Sequence, residues 1–154
     1  MKLSFTVNGK LREVDCSPTI RLNDLLRDEF GCTGVKEGCG EGDCGACTIL
    51  LDGENVPSCI LVAGQAAGHE IITIEGVTEN GQMSAIQDAF ARAGAVQCGY
   101  CTPGMILSAK ALLDKNPHPT EAEIRTALSG NLCRCTGYTK IVKAVQLAAE
   151  EVAE

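Results

Sequence analysis

The sequence predicts an α+β protein in which a small mixed sheet is followed by a bundle of four short helices. Alternating apolar and polar residues, typical of strands, are confined to the first half of the chain. Apolar residues at helical spacing dominate the second half, and each half contains one group of closely spaced cysteines. We therefore expect two domains, at residues 1–78 and 79–154, with the boundary between Gly76 and Gln82.

Length and composition limit the class of protein. The chain has 154 residues, ten of them cysteines, and a formal net charge of −7, which argues against a nucleic-acid partner. No stretch approaches the roughly 20 apolar residues of a membrane span. Ten cysteines could form disulfides in a secreted protein or bind metal in the cytosol. Residues 1–8 lack the apolar core of a signal peptide, which favours the cytoplasm.

The first half begins with a predicted hairpin. Apolar residues alternate along residues 3–7, Asn8-Gly9 supplies a two-residue turn, and residues 10–15 return as the second strand. A helix is expected over residues 21–30, because four large apolar residues fall on one face, and Gly31 closes it.

Three more strands are expected after a long loop. They fall at residues 48–51, 54–56 and 71–74, and Asp52-Gly53 joins the first two. Together with the hairpin and the helix, they make a small mixed sheet crossed by one helix.

The loop itself is the most distinctive segment of the chain. Residues 39–47 read Cys-Gly-Glu-Gly-Asp-Cys-Gly-Ala-Cys, and a further cysteine follows at Cys59. The spacing C-x4-C-x2-C is the one by which plant-type ferredoxins hold a [2Fe–2S] cluster. Glycines at 38, 40, 42 and 45 permit positive φ and close approach of the main chain, so that N–H groups point at the sulfurs. The alternative is a set of buried structural cysteines in a glycine-rich turn.

The predicted ligands of this first site are Cys39, Cys44, Cys47 and Cys59. Cys16 and Cys32 fall outside the frame and are interpreted as non-ligands. This half resembles the β-grasp fold of plant-type ferredoxins. One departure is that only eleven residues separate Cys47 from Cys59, where those ferredoxins place the fourth ligand further on.

The second half is predicted to be helical. Ser84 to Gln87 reads as a capping box that opens a helix ending near Arg92. Thr102 and Pro103 suit the first positions of a second helix, which Asn116-Pro117 breaks. A capping box at residues 120–123 opens a third helix, and a fourth is expected over about 138–152.

Four cysteines lie in the two loops between these helices. They are Cys98, Cys101, Cys133 and Cys135, spaced as C-x2-C and C-x-C. Each pair precedes a helix, whose N-terminal N–H groups and positive partial charge favour an anionic centre. Spacing alone leaves a [2Fe–2S] cluster and a Cys₄ zinc site open. The loop in the first half favours iron–sulfur, because a second redox centre gives the first one a place to send its electron.

Other polar residues carry weaker signals. His69 and His118 are expected at the surface. The sequence contains no Cys-x-His pair, so a Rieske centre is not expected. Arg134 lies between two predicted ligands, where it offsets cluster charge, reaches a partner or is simply solvated. No serine, histidine or paired carboxylates are arranged for substrate chemistry, so no catalytic residue is predicted in this chain.

Three motifs, in this order, identify a family. They are residues 38–47 of the first loop, Gln97-Cys-Gly-Tyr-Cys-Thr-Pro-Gly104 and Gly130-Asn-Leu-Cys-Arg-Cys-Thr-Gly-Tyr138. Together they resemble the iron–sulfur part of the molybdenum hydroxylases, the xanthine dehydrogenase and aldehyde oxidoreductase family. The resemblance covers essentially the whole chain. The chain is similar to the separate small subunits of nicotinate dehydrogenase, carbon monoxide dehydrogenase and 4-hydroxybenzoyl-CoA reductase.

The resemblance implies a role in electron transfer. A large partner subunit would hold molybdenum on molybdopterin, often as its cytosine dinucleotide. Electrons would pass to the Cys98 cluster, then to the Cys39 cluster, and leave through a medium FAD-binding subunit in a higher-order assembly. The match also implies that Gln97 and the Cys135 backbone contact the pterin cofactor. Two alternatives are a free-standing two-cluster electron carrier and a zinc-stabilised interaction module.

Overall fold

The computed structural model describes residues 1–152 and has the predicted α+β architecture. The sheet has five strands in the spatial order β2-β1-β5-β3-β4. Their bounds are β1 Lys2–Val7, β2 Lys10–Asp15, β3 Thr48–Leu51, β4 Glu54–Pro57 and β5 Glu70–Ile72. β1 pairs with β5 in parallel, and the other pairs are antiparallel, so the predicted mixed sheet and both hairpins are confirmed.

The last strand is shorter than the predicted 71–74, because it ends at Ile72 and Ile74–Gly76 forms a 3₁₀ turn. The side chain of Asn8, at the turn of the first hairpin, explains this. Its Oδ1 accepts from the Thr73 N–H at 2.9 Å, and its Nδ2 donates to the Thr73 hydroxyl at 2.9 Å. With its N–H bound in this way, Thr73 does not extend the strand ladder.

The helix predicted over residues 21–30 occupies the right segment but has a different geometry. α1 (Leu22–Asp24) is α-helical, and Leu25–Glu29 continues it as a π-helix. Accordingly, the Phe30 N–H donates to the Leu25 carbonyl five residues earlier. The wider turn brings the Phe30 ring edge-on to Phe5, with the ring centres 5.8 Å apart. The wider turn of this helix thus accompanies the packing of Phe30 in the core beneath the sheet.

The second half contains the four predicted helices. They are α3 Ala85–Arg92, α4 Thr102–Lys115, α5 Glu121–Ala127 and α6 Thr139–Val152. Both capping boxes are present, at Ser84 and at Thr120. One boundary differs, because the N-cap of α4 is Cys101 rather than Thr102. A short helix, α2 (Ala63–Ala66), and a 3₁₀ turn at Ser58–Ile60 were not predicted.

Two hydrophobic cores lie on opposite faces of the sheet. One contains Phe5, Ile49 and the leucines of the first helix, and the other is formed mainly by α3 to α6. Leu50 of β3 packs into the helical core and is only 1% exposed. The two halves thus share the middle of the sheet, and the division at residue 78 stays a prediction. No helix within residues 1–152 is long and apolar enough to cross a membrane.

Candidate metal centres

The first cysteine loop folds round the thiol of Cys39. Gly40, Gly42 and Gly45 have φ angles of 70°, 83° and 74°, which side chains rarely adopt. This path directs the N–H groups of Glu41, Asp43 and Cys44 at the Cys39 sulfur, at 3.3, 3.3 and 3.4 Å. These donors lower the pKa of Cys39 to about 6, which favours the thiolate form that binds iron.

The four thiols of this site lie as two neighbouring pairs. The side chain of Cys44 hydrogen-bonds to Cys39, and that of Cys47 to Cys59. Cys47 and Cys59 are buried, whereas Cys39 and Cys44 are half-buried. Burial, together with the adjacent Cys47, raises the pKa of Cys59 to about 11. A positive charge beside Cys59, such as that of iron, would therefore favour its thiolate form.

A network of hydrogen-bonded polar side chains supports this loop. The guanidinium of Arg21 binds Glu37 and Asp24, with its Nη2 2.9 Å from Glu37 Oε2. Asn23 donates to the same Glu37 oxygen at 2.7 Å, and Ser58 donates to the Cys47 carbonyl at 2.8 Å. Arg21 lowers the pKa of Glu37. Sequence reasoning missed this network, because nothing in the local pattern links Glu37 with Arg21 and Asn23, which lie 16 and 14 residues before it.

The second set of cysteines is also arranged in pairs. The sulfurs of Cys98 and Cys135 are 3.7 Å apart, and Cys101 hydrogen-bonds to Cys133. Cys133 accepts from the N–H groups of Cys135 and Thr136 at 3.4 and 3.3 Å, and from the Thr136 hydroxyl at 3.1 Å. This arrangement repeats the feature of the first site, in which one sulfur of the set collects the N–H donors.

The pKa values of the second set divide in the same way. Burial acts to raise the pKa of Cys133, but the Thr136 hydroxyl and the neighbouring N–H groups outweigh it and lower the pKa to about 7. Burial and the adjacent Cys133 raise the pKa of Cys101 to about 12. The nearby Cys98 thiol raises the pKa of Cys135.

The arrangement fits a two-iron cluster better than a single ion. A structural zinc site requires four ligands round one point. A [2Fe–2S] cluster takes two ligands at each iron, which two separate thiol pairs supply. The geometry thus agrees with two [2Fe–2S] centres, one in each half.

The remaining predicted residues lie where exposure permits a partner to reach them. Gln97 is exposed, and its amide forms no hydrogen bond with any residue of the described chain. Arg134 is exposed beside Cys98 and Cys135, in a groove that Tyr100 and Leu132 also line. His69 and His118 are at the surface as expected.

The two cysteines predicted not to bind metal lie apart from these pairs. Cys32 is buried, with its sulfur 3.9 Å from the Phe30 carbonyl, and Cys16 packs against the edge of the first core.

Known families cover both halves of the chain. A "2Fe-2S iron-sulfur cluster binding domain" matches residues 5–71, and a "[2Fe-2S] binding domain" matches residues 73–146. The small FeS subunit of nicotinate dehydrogenase from Eubacterium barkeri is 59% identical over 151 residues, covering 98% of this chain and 96% of that subunit. The iron-sulfur-binding subunit of xanthine dehydrogenase from Escherichia coli O157:H7 is 48% identical over 145 residues, covering 93% and 91%.

Solved structures agree with these relatives. Quinoline 2-oxidoreductase from Pseudomonas putida 86 superposes with a TM-score of 0.95 at 46% identity, covering 99% of this chain and 96% of that chain. Aldehyde oxidoreductase from Desulfovibrio gigas gives 0.95 at 41% identity, covering 99% of this chain but 17% of the longer one. The chain is therefore a member of the molybdenum hydroxylase family, a small iron–sulfur subunit of a molybdopterin-dependent oxidoreductase with two [2Fe–2S] clusters and a role in electron transfer.

Proposed function

We propose that eight cysteines bind the two clusters, two at each iron. The pairs are Cys39 with Cys44, Cys47 with Cys59, Cys98 with Cys135, and Cys101 with Cys133. The observation that carries the proposal is the pairing of thiols in both halves, with N–H donors directed at one sulfur of each set. When bound, the clusters supply one-electron redox chemistry between a molybdopterin site and an electron acceptor. The role of the protein is to hold the thiolates and to tune them with these donors.

Metal analysis of the full chain tests the ligand assignment. Two clusters of this type require about four iron and four sulfide per chain. Serine in place of Cys101 or Cys59 should remove about two iron each, whereas Cys16→Ser and Cys32→Ser should leave the iron content unchanged. The two control cysteines lie outside both paired sets. A wild-type chain that retains zinc instead of iron, or a control that loses a cluster, would contradict the assignment.

We propose further that the second cysteine set faces a large molybdopterin-binding subunit. Cys98 and Cys135 are exposed, and beside them Tyr100 and Leu132 are 49% and 57% exposed. Aromatic and apolar side chains of this kind are typical of the buried centre of a protein interface. Gln97 lies next to this surface with both its donor and its acceptor free within the described chain, which suits the edge of a pterin. Gln97 and the Cys135 backbone are thus the proposed contacts to molybdopterin, held there as its cytosine dinucleotide.

In this arrangement electrons enter on the Cys98 side and leave on the Cys39 side. An FAD-binding subunit is the proposed acceptor, in a higher-order assembly located in the cytoplasm. The alternative, a free-standing two-cluster carrier, predicts that the chain purifies alone with both clusters and no molybdenum. Native purification followed by identification of the accompanying chains distinguishes the two functions.

A charge at the proposed interface gives a sharper test. Leu132→Glu should weaken retention of the large subunit, because it places a carboxylate in an apolar contact. Leu11→Glu is the matched control, since Leu11 is 70% exposed on β2, on the outer edge of the sheet. Equal retention of the large subunit by both variants would place the interface elsewhere.

A further inference from the structure

Asn131 lies buried where the two halves of the chain meet. It is 4% exposed and stands two residues before the proposed ligand Cys133. Its Nδ2 donates to the Gly45 carbonyl at 3.1 Å and to the Thr48 hydroxyl at 3.2 Å. Its Oδ1 accepts from the Ser108 hydroxyl at 2.7 Å. One amide therefore binds the first cysteine loop, the start of β3 and helix α4 at the same time.

The residue after Asn131 binds the same loop through its backbone. The Leu132 N–H donates to the carbonyl of Cys44 at 2.9 Å. Consecutive residues of one cysteine loop thus hold consecutive carbonyls of the other, between the proposed ligands Cys44 and Cys47. Tyr100 adds a third link between the two cysteine loops, since its hydroxyl donates to the Glu37 carbonyl, two residues before Cys39, at 2.6 Å.

These contacts leave no room for the loops to slide. A Cβ atom on Gly45 would lie 2.6 Å from Asn131 Nδ2 and would also meet the Gly130 carbonyl. A Cβ atom on Gly104, in the first turn of α4, would meet the Gly45 carbonyl. The two halves therefore approach each other backbone to backbone at this point, and the polar atoms of Asn131 set the register of the approach.

We propose that Asn131 is a positioning residue that sets the separation and relative orientation of the two iron–sulfur sites. The proposal rests on the ligand sets given above. Each half builds its own ligand set, so the distance between the sets depends on the contacts between the halves. An asparagine suits the position because its amide both donates and accepts. Aspartate has the same shape but would direct an acceptor at the acceptor oxygen of Gly45.

Two variants separate positioning from simple packing. Asn131→Ala removes the side chain, while the Gly45 carbonyl keeps its bonds from the Thr48 N–H and hydroxyl, so a folded protein is expected. Asn131→Asp keeps the volume but replaces the two donors with an acceptor oxygen and adds a negative charge. Asn55→Ala is the control, because Asn55 also crosses between the halves, to Ser108 at 3.3 Å, but touches neither cysteine loop, and its loss leaves the Ser108 hydroxyl free to donate to Asn131.

The measurement is EPR of the full chain with both clusters reduced. The magnetic splitting between two paramagnetic centres depends steeply on their separation and relative orientation. Both Asn131 variants should keep the iron content and both cluster signals but show a changed or broadened splitting, whereas Asn55→Ala should keep the wild-type splitting. An unchanged splitting in both Asn131 variants would overturn the proposal, as would a change in the alanine variant alone, which packing explains.

The outcome for Asn131 is distinguishable from failure of the ligand assignment. An iron content below about four in the wild-type chain contradicts the assignment itself. Loss of a cluster in the Asn131 variants would assign the residue to cluster retention and overturn positioning. If neither variant accumulates as folded protein, Ser108→Ala decides, because it removes the hydroxyl that holds Asn131 Oδ1 and so loosens the amide that binds Gly45, without touching either loop. Its splitting should change, and a wild-type value would refute the inference.

Discussion

A single methyl group on Gly104 should test whether the two halves are as closely apposed as the structure indicates. Gly104 lies in the first turn of α4 at an ordinary helical φ, so helix propensity alone favours alanine there by about 0.5–1 kcal/mol. The added Cβ would meet the Gly45 carbonyl, a backbone atom that cannot rotate away. Overpacking of this kind costs about 1–3 kcal/mol, so Gly104→Ala should destabilise the chain by up to about 2 kcal/mol.

Gly130→Ala is the matched control for this variant. Gly130 is part of the same interface, but a Cβ there would point into open space, and its φ is not left-handed. The assay is thermal unfolding of the cluster-loaded chain followed by circular dichroism. For a chain of this size 1 kcal/mol corresponds to about 2–4 °C in Tm. Gly104→Ala should therefore lower the Tm by a few degrees, and Gly130→Ala should leave it unchanged or raise it. An increase in Tm for Gly104→Ala would refute the close contact.

Three further outcomes are expected. A fragment of residues 1–78 should reconstitute one cluster. It should aggregate or unfold more easily than the full chain, because it exposes Leu50. A soluble, folded fragment without iron would contradict the predicted division. In the assembled enzyme, Gln97→Ala should keep both clusters but weaken molybdenum retention or slow reduction by substrate, which rapid-freeze EPR measures; wild-type values for both would refute its role. Arg21 holds the pKa of Glu37 below its ordinary value. The pair therefore stabilises the fold fully at pH values above the pKa of an unfolded glutamate, about 4.3. This stability is lost as the pH falls through the pKa of Glu37 in the folded chain. Acid unfolding of Glu37→Gln should accordingly show a weaker pH dependence than that of the wild type, and an unchanged acid limb would argue against the pair.

Much of the fold could be predicted because its signals are local. The hairpin at Asn8-Gly9 depends on two adjacent residues, since that dipeptide adopts the turn that matches the twist of the flanking strands. The capping boxes at Ser84 and Thr120 likewise start helices through residues three positions apart. The glycines between Cys39 and Cys47 are a local signal too, because their positive φ angles direct N–H groups at the Cys39 sulfur.

Other features depend on residues that are distant in sequence. The π-helix at Leu25–Glu29 has ordinary helical periodicity, so its wider turn, which accompanies the packing of Phe30 against Phe5, is seen only in the folded chain. The early end of β5 depends on Asn8, 65 residues before Thr73. No local pattern reports such contacts, so propensity and periodicity place the elements without fixing their ends.

The same division applies to the functional sites. The sequence alone determined which eight cysteines are candidates, in two sets, because ligand spacing within a loop is a property of consecutive residues. Tertiary structure decided which thiols pair, since Cys98 meets Cys135 only when two interhelical loops converge. It also revealed Asn131 as the contact between the loops, 86 residues along the chain from its acceptor Gly45. A buried amide finds its hydrogen-bond partners only in the folded chain, so the role of Asn131 cannot be predicted from the motif that contains it.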